Sequence, residues 1–175
     1  MKTKILFLLI AALPFVMKAQ SVNGDIDTVI LTEADKMGTA FINKDYAAFA
    51  KYTHPTIIIM MGGEEKMLSE ITRSFKAFEE EGVAFKNVSF GSPSKIIVTE
   101  KNELQCTVPQ MIEMKVNGGS ITANTTLIAV SRDEGKSWYF ADATGNDIET
   151  MRKIIPTLSP KLVIEKSPEP SFQED

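Results

Sequence analysis

Residues 104 to 116 read "LQCTVPQMIEMKV". Leu104, Cys106, Val108, Ile112, Met114 and Val116 occupy even positions, whereas Glu103, Gln105, Thr107, Glu113 and Lys115 fall at odd ones. A period of two puts one set on each face of an extended chain, which predicts a long, half-buried strand with its polar row toward water. Pro109 cannot donate to a ladder, so a bulge or an edge position with a bend is expected there.

Strand signals continue on both sides. "VNGGS" (116–120) turns the chain into a second strand over Ile121–Val130, and "RDEGK" (132–136) turns it again into "SWYFAD" (137–142). "VAFKNVSF" (83–90) and "SKIIVTE" (94–100) complete an antiparallel meander. Before Gly82 the apolar period is near four instead. From Asp25 to Asn43, Ile26, Ile30, Met37 and Phe41 recur along one stripe, widened by Val29, Ala34 and Ala40. "KDYAAFAKY" (44–52) predicts a short helix with Tyr46 and Phe49 inward, ended by His54 and Pro55. Ile57 to Met61 then reads as a short strand stopped by Gly62 and Gly63. "EEKMLSEITRSFKAFEEEG" (64–82) reads as a helix with a Leu68, Ile71, Phe75 and Phe78 seam that stops at Gly82. Helices followed by strands argue for an α+β domain, helices on one face of a curved antiparallel sheet.

The ends carry different signals. Residues 1–19 place Lys2 and Lys4 before an apolar run from Ile5 to Met17 and finish at Ala19, the order of a secretory signal peptide and too short for a membrane span. The lone cysteine, Cys106, stands far from any new amino terminus, so an exported, soluble protein without lipid anchor or internal disulfide is expected, periplasmic or secreted. The domain is then expected over 20–155. Residues 156–175 form a proline-containing extended arm whose apolar "KLVIE" must dock on its own domain or on a neighbour. A net charge of −4 without a basic stripe argues against nucleic acid as a partner.

The segments "AFINKDYAAFAKYTHPTIIIMMGG" (40–63), "LSEITRSFKAF" (68–78) and "GKSWYFAD" (135–142), in this order, resemble the NTF2-like superfamily, also described as SnoaL-like or ketosteroid-isomerase-like, across roughly Asp25 to Lys153. The resemblance implies a cone whose concave sheet and helices enclose a pocket. It leaves function open, because that superfamily includes isomerases, cyclases, dehydratases, binding modules and assembly domains. Isomerases of this type imply a carboxylate base on the first strand, a position that falls near Ile59 or Met60 here, and neither residue takes a proton. Their second acid lies on a later strand, where the inward residues of 104–116 read as apolar, leaving Glu113 or Asp142 as alternative acids.

Each candidate residue has two readings. His54 has the titration range of a general base, yet it precedes Pro55 at a helix exit, where an imidazole commonly bonds turn backbone. Cys106 sits among core positions as a small hydrophobe. Met60, Met61, Met111 and Met114 suit either a deformable pocket or ordinary core. "SRDEGKSW" (131–138) also resembles the Asp-box turn of sialidases, with Asp133 capping the turn, Gly135 left-handed and Trp138 packed below; one copy makes no propeller. No second histidine or Asp-x-Asp-x-Asp loop supports a metal, and no cofactor is implied.

The favoured reading is an exported binding domain. Its apolar pocket would be lined by Phe41, Tyr46, Ile59, Met61, Met111, Met114, Trp138 and Phe140 and would hold a small hydrophobic ligand, or its sheet face would hold a protein. A homodimer through the sheet or the arm is a further expectation. The alternative is a SnoaL-like enzyme, an isomerase, cyclase or dehydratase, using His54, Tyr52 or Asp142 on a hydrophobic substrate.

Overall fold

The structure, a computed structural model, describes residues 22–175, with side chains from Asp25 onward; the signal peptide expected over 1–19 lies outside the described residues. The chain runs α1 (Val22–Ile42), α2 (Tyr46–Ala50), α3 (Pro55–Met60), α4 (Glu64–Glu80), β1 (Ala84–Phe90), β2 (Ile97–Val98), β3 (Leu104–Val116), β4 (Gly119–Ser131), β5 (Tyr139–Asp142), α5 (Ile148–Ile154) and β6 (Ser171–Glu174). The fold is α+β, with the main helices ahead of an open antiparallel sheet of six strands.

The long β3–β4 hairpin forms the spine of the sheet, in unbroken register from Leu104↔Ser131 to Val116↔Gly119. Shorter strands flank it: β1 and β2 pair with the two halves of β3, and β6 and β5 with the two halves of β4. Pro109 causes no bulge. Its carbonyl accepts from Gly91 N, so the side of β3 that lacks an N–H faces the connection between β1 and β2, where the ladder is already interrupted. The irregularity lies instead in β1, between Phe85 and Asn87.

The even face of β3 meets α1, as its spacing requires. Ile30, Ala34 and Met37, one row along the helix, are buried against Cys106, Val108, Leu127 and Ala129, with Trp138 and Phe140 in the same core. Further along, Phe41, Phe75 and Phe85 pack as a three-way aromatic cluster, joined by Phe49, Tyr46 and Phe78. Each such ring pair contributes roughly 0.5–1.5 kcal/mol beyond area burial.

The odd face departs from the expected wet row. Helix α5, not anticipated from the sequence, and the residues after it cover the outer face of the sheet: Ile128, Val130, Ala141 and Ala143 form a second core with Met151, Ile155, Leu158 and Leu162. Glu103, Gln105 and Thr107 are therefore buried rather than solvated. Glu103 accepts from Arg132 and Gln105, and the arm satisfies the other two. Gln105 Nε2 donates to Thr157 O at 3.1 Å, its Oε1 accepts from Ser159 N at 2.8 Å, and the Thr107 hydroxyl donates to Val163 O at 3.3 Å. The arm thus docks on its own domain, and its end adds β6 to the edge of β4.

The stretch 57–61 also differs from the expected strand. It is helix α3, not a strand. Pro55 occupies the first turn, where its fixed φ and missing N–H cost nothing, and His54 Nδ1 accepts from Thr56 N at 3.2 Å as the cap. Gly62, at φ +90°, closes the helix: Gly63 N donates to Ile58 O and Gly62 N to Ile59 O, the paired bonds of a Schellman end. Gly82 ends α4 in the same way, through Val83 N to Phe78 O and Gly82 N to Glu79 O.

Candidate functional site

Between the helices and the even face of the sheet lies a cavity of about 290 Å³. Met37, Gly38 and Phe41 of α1 and Phe49 of α2 form one wall, Thr53, Ile57, Met61, Met67 and Ile71 the next, and Gln110, Ile112, Leu127, Phe140, Ala141 and Asp142 the sheet side. Gly38 permits the close seating of α1 on β1, since a Cβ there would stand 3.0 Å from Cε2 of Phe90. Ile57 and Met61, four residues apart, reach the cavity together because α3 is helical.

Three of the eight residues expected to line a pocket do so: Phe41, Met61 and Phe140. The others lie elsewhere. Ile59 is 75 % exposed on the far side of α3. Tyr46 packs at a tilt against Phe75, and Trp138 is buried deeper in the core. Met114 shares the cavity face of the sheet but pairs across to Phe85, beneath the aromatic cluster. Met111 pairs with Ser89 and Asn124 on the opposite face. Met60 is exposed as well, so the positions counted for an isomerase base do not face the cavity at all. Gln110 lines the cavity as well; in the sequence it continues the even row of β3 and breaks its apolar run.

Of the three proton-handling candidates, only Asp142 lines the cavity. Its Oδ1 accepts from Thr144 N at 2.7 Å and from the Thr144 hydroxyl, which holds the carboxylate in an Asx turn. Tyr52 packs against the α1 core, and its carbonyl accepts from Phe140 N while His54 N donates to Phe140 O. Residues 52–54 thereby add a short parallel bridge to β5. Glu113, on the odd face, pairs with Asn87 and Thr122.

His54 is fully buried and faces two donors. Thr56 N lies 3.2 Å from Nδ1, and Nη2 of Arg132 lies 3.3 Å from Nε2. A neutral imidazole has one acceptor nitrogen and satisfies one of these; an imidazolium would set an N–H against both. Burial, and next the Arg132 guanidinium, hold His54 at about 4, against a smaller opposing pull from Glu103. Arg132 Nε in turn donates to Glu103 Oε1 at 3.0 Å, and Gln105 Nε2 to Glu103 Oε2 at 3.0 Å. One polar chain therefore links the α3 cap to the C-terminal arm. Its chemistry is structural, because His54 has neither an open face nor the titration of a base near neutrality.

The turn after β4 follows its sequence reading. Asp133 accepts from Ser137 N at 2.9 Å and from the Ser137 hydroxyl at 2.6 Å, bonds led by that hydroxyl that hold it at about 2. Gly135 takes φ +88°, and the indole of Trp138 donates to its carbonyl at 3.1 Å. Cys106 is buried, and loss of hydration pushes its thiol up to about 12, so it is a core side chain and no nucleophile. Among the described residues no three metal-ligating side chains converge, and no helix is long and apolar enough to cross a membrane. Neither a scan against protein-family models nor a comparison with curated proteins returns a match for this chain.

Proposed function

We propose that the chain is an exported NTF2-like domain that binds a small apolar molecule in the cavity between its helices and its sheet. One observation carries the reading: the wall of that cavity is apolar except for Thr53, Gln110 and a single ionisable residue, Asp142. A site of that make-up gives affinity through burial of ligand surface and orientation through a few polar contacts. The enzyme alternative has less support, since it needs several proton-handling groups at one cavity, and His54 and Tyr52 stand outside it. Docking of a protein on the sheet is also less supported. The outer face beyond the arm carries Glu113 and Lys115, with Asn87, Thr122 and Ser120 among their cross-strand partners.

Native mass spectrometry of protein purified from its own cell envelope tests the reading. An added mass is expected that is lost on denaturation and absent from Ile112→Trp, in which an indole fills the cavity. A bare chain that also fails to take up 1-octanol would overturn it.

A further inference from the structure

Asp142 and Leu127 are cross-strand partners, so their side chains leave the sheet on the same, cavity-facing side. The Thr144 turn fixes the carboxylate through Oδ1, while the residue as a whole remains exposed. It therefore stands at the mouth of the cavity with an apolar wall behind it. No lysine, arginine or histidine is among the lining residues to neutralise it. Gln110, one of the two uncharged polar groups, already accepts from the Thr125 hydroxyl at 2.9 Å.

Resting on the binding reading above, we propose that the occupant is an apolar molecule with a hydrogen-bond-donor head, best an amine, and that Asp142 selects it against a carboxylate head. An ammonium at the mouth gains a charge-assisted bond, whereas a carboxylate meets like charge and loses hydration. The cavity sets the size of the body. With about 30 Å³ for each water-sized group, it accommodates roughly ten non-hydrogen atoms.

Octylamine, 1-octanol and octanoate share one tail and differ in the head, so calorimetry and ligand-observed NMR with the full chain separate the two contributions. Octylamine is expected to bind at least about tenfold tighter than octanoate, with octanol between them. Asp142→Asn keeps an oxygen for the Thr144 turn and should bring the three within about threefold of one another. Glu113→Gln removes the same charge from the opposite face and should leave the preference unchanged, which separates Asp142 from the overall negative charge. Octanoate within threefold of octylamine on the unaltered protein, or a preference that survives Asp142→Asn, overturns the inference while leaving the cavity reading intact. If none of the three binds, the cavity reading falls and takes the inference with it.

Discussion

The buried His54 makes the stability of this domain depend on pH. In the unfolded chain the imidazole titrates near 6.5; in the native state it is held at about 4, chiefly by burial and then by Arg132. Between those values the unfolded state binds the proton and the native state does not. The stabilisation is therefore complete above pH 6.5, declines as pH falls, and is fully lost below about 4. With about 1.4 kcal/mol for each pH unit, the loss comes to about 3–4 kcal/mol in total and reaches about 2 kcal/mol at pH 5. Asp133, held at about 2, loses its contribution only below the ordinary aspartate range, so it does not confuse the comparison. Urea unfolding at half-unit steps from pH 7.5 to 4.5 measures the slope, and His54→Asn supplies the reference, because asparagine still caps α3 but does not titrate. That variant is expected to be less stable at pH 7.5 and to lose about 2 kcal/mol less on going to pH 5. Parallel curves for the two proteins would refute the reasoning, as would an NMR titration of His54 with a midpoint near 6.5.

Other perturbations test separate parts of the structure. Gly119→Ala places a Cβ 2.3 Å from Gln173 O and 2.6 Å from the Phe172 ring, so β6 should detach; amide exchange in 171–174 should rise to the free-peptide rate with the core little changed. Gln105→Leu leaves Ser159 N, Thr157 O and part of Glu103 without a partner, and should cost about 2–3 kcal/mol in denaturant unfolding. Cys106 should resist iodoacetamide in the native protein and react at the rate of global opening, which a pulse-labelling series in urea would measure. Ile59→Glu should change stability by less than about 0.5 kcal/mol, since the side chain is 75 % exposed, whereas a strand entering the core would have made it severe.

Much of the fold was legible because its signals are local. The four-residue stripe of α1, the glycine that ends α4, the alternation of β3 and the turn chemistry of Ser131–Trp138 each act within a few residues. They survive folding because the tertiary structure uses the faces they define. The run from Pro55 to Met61 shows how a local reading fails. Three consecutive isoleucines favour a strand by propensity, but a capping His54, Pro55 in the first turn and a glycine of positive φ are the stronger combination. Helix α5 had comparable marks, with Asp147 accepting from Thr150 N at 2.8 Å and Arg152 and Lys153 in its last turn.

By itself the sequence determined the α+β class, the order of the principal elements and the apolar face of the sheet, since periodicity and turn residues are properties of neighbours along the chain. Only the tertiary structure decided that Gln105 and Thr107 are buried, that the arm folds back on its own domain, and that Asp142 joins Gln110 at the cavity while His54 does not. Those outcomes depend on contacts far apart along the chain, such as Thr107 with Val163, 56 positions on, and His54 with Arg132, 78 positions on. An alternating strand states that it has two faces, and what covers the second one is decided where the rest of the chain comes to lie.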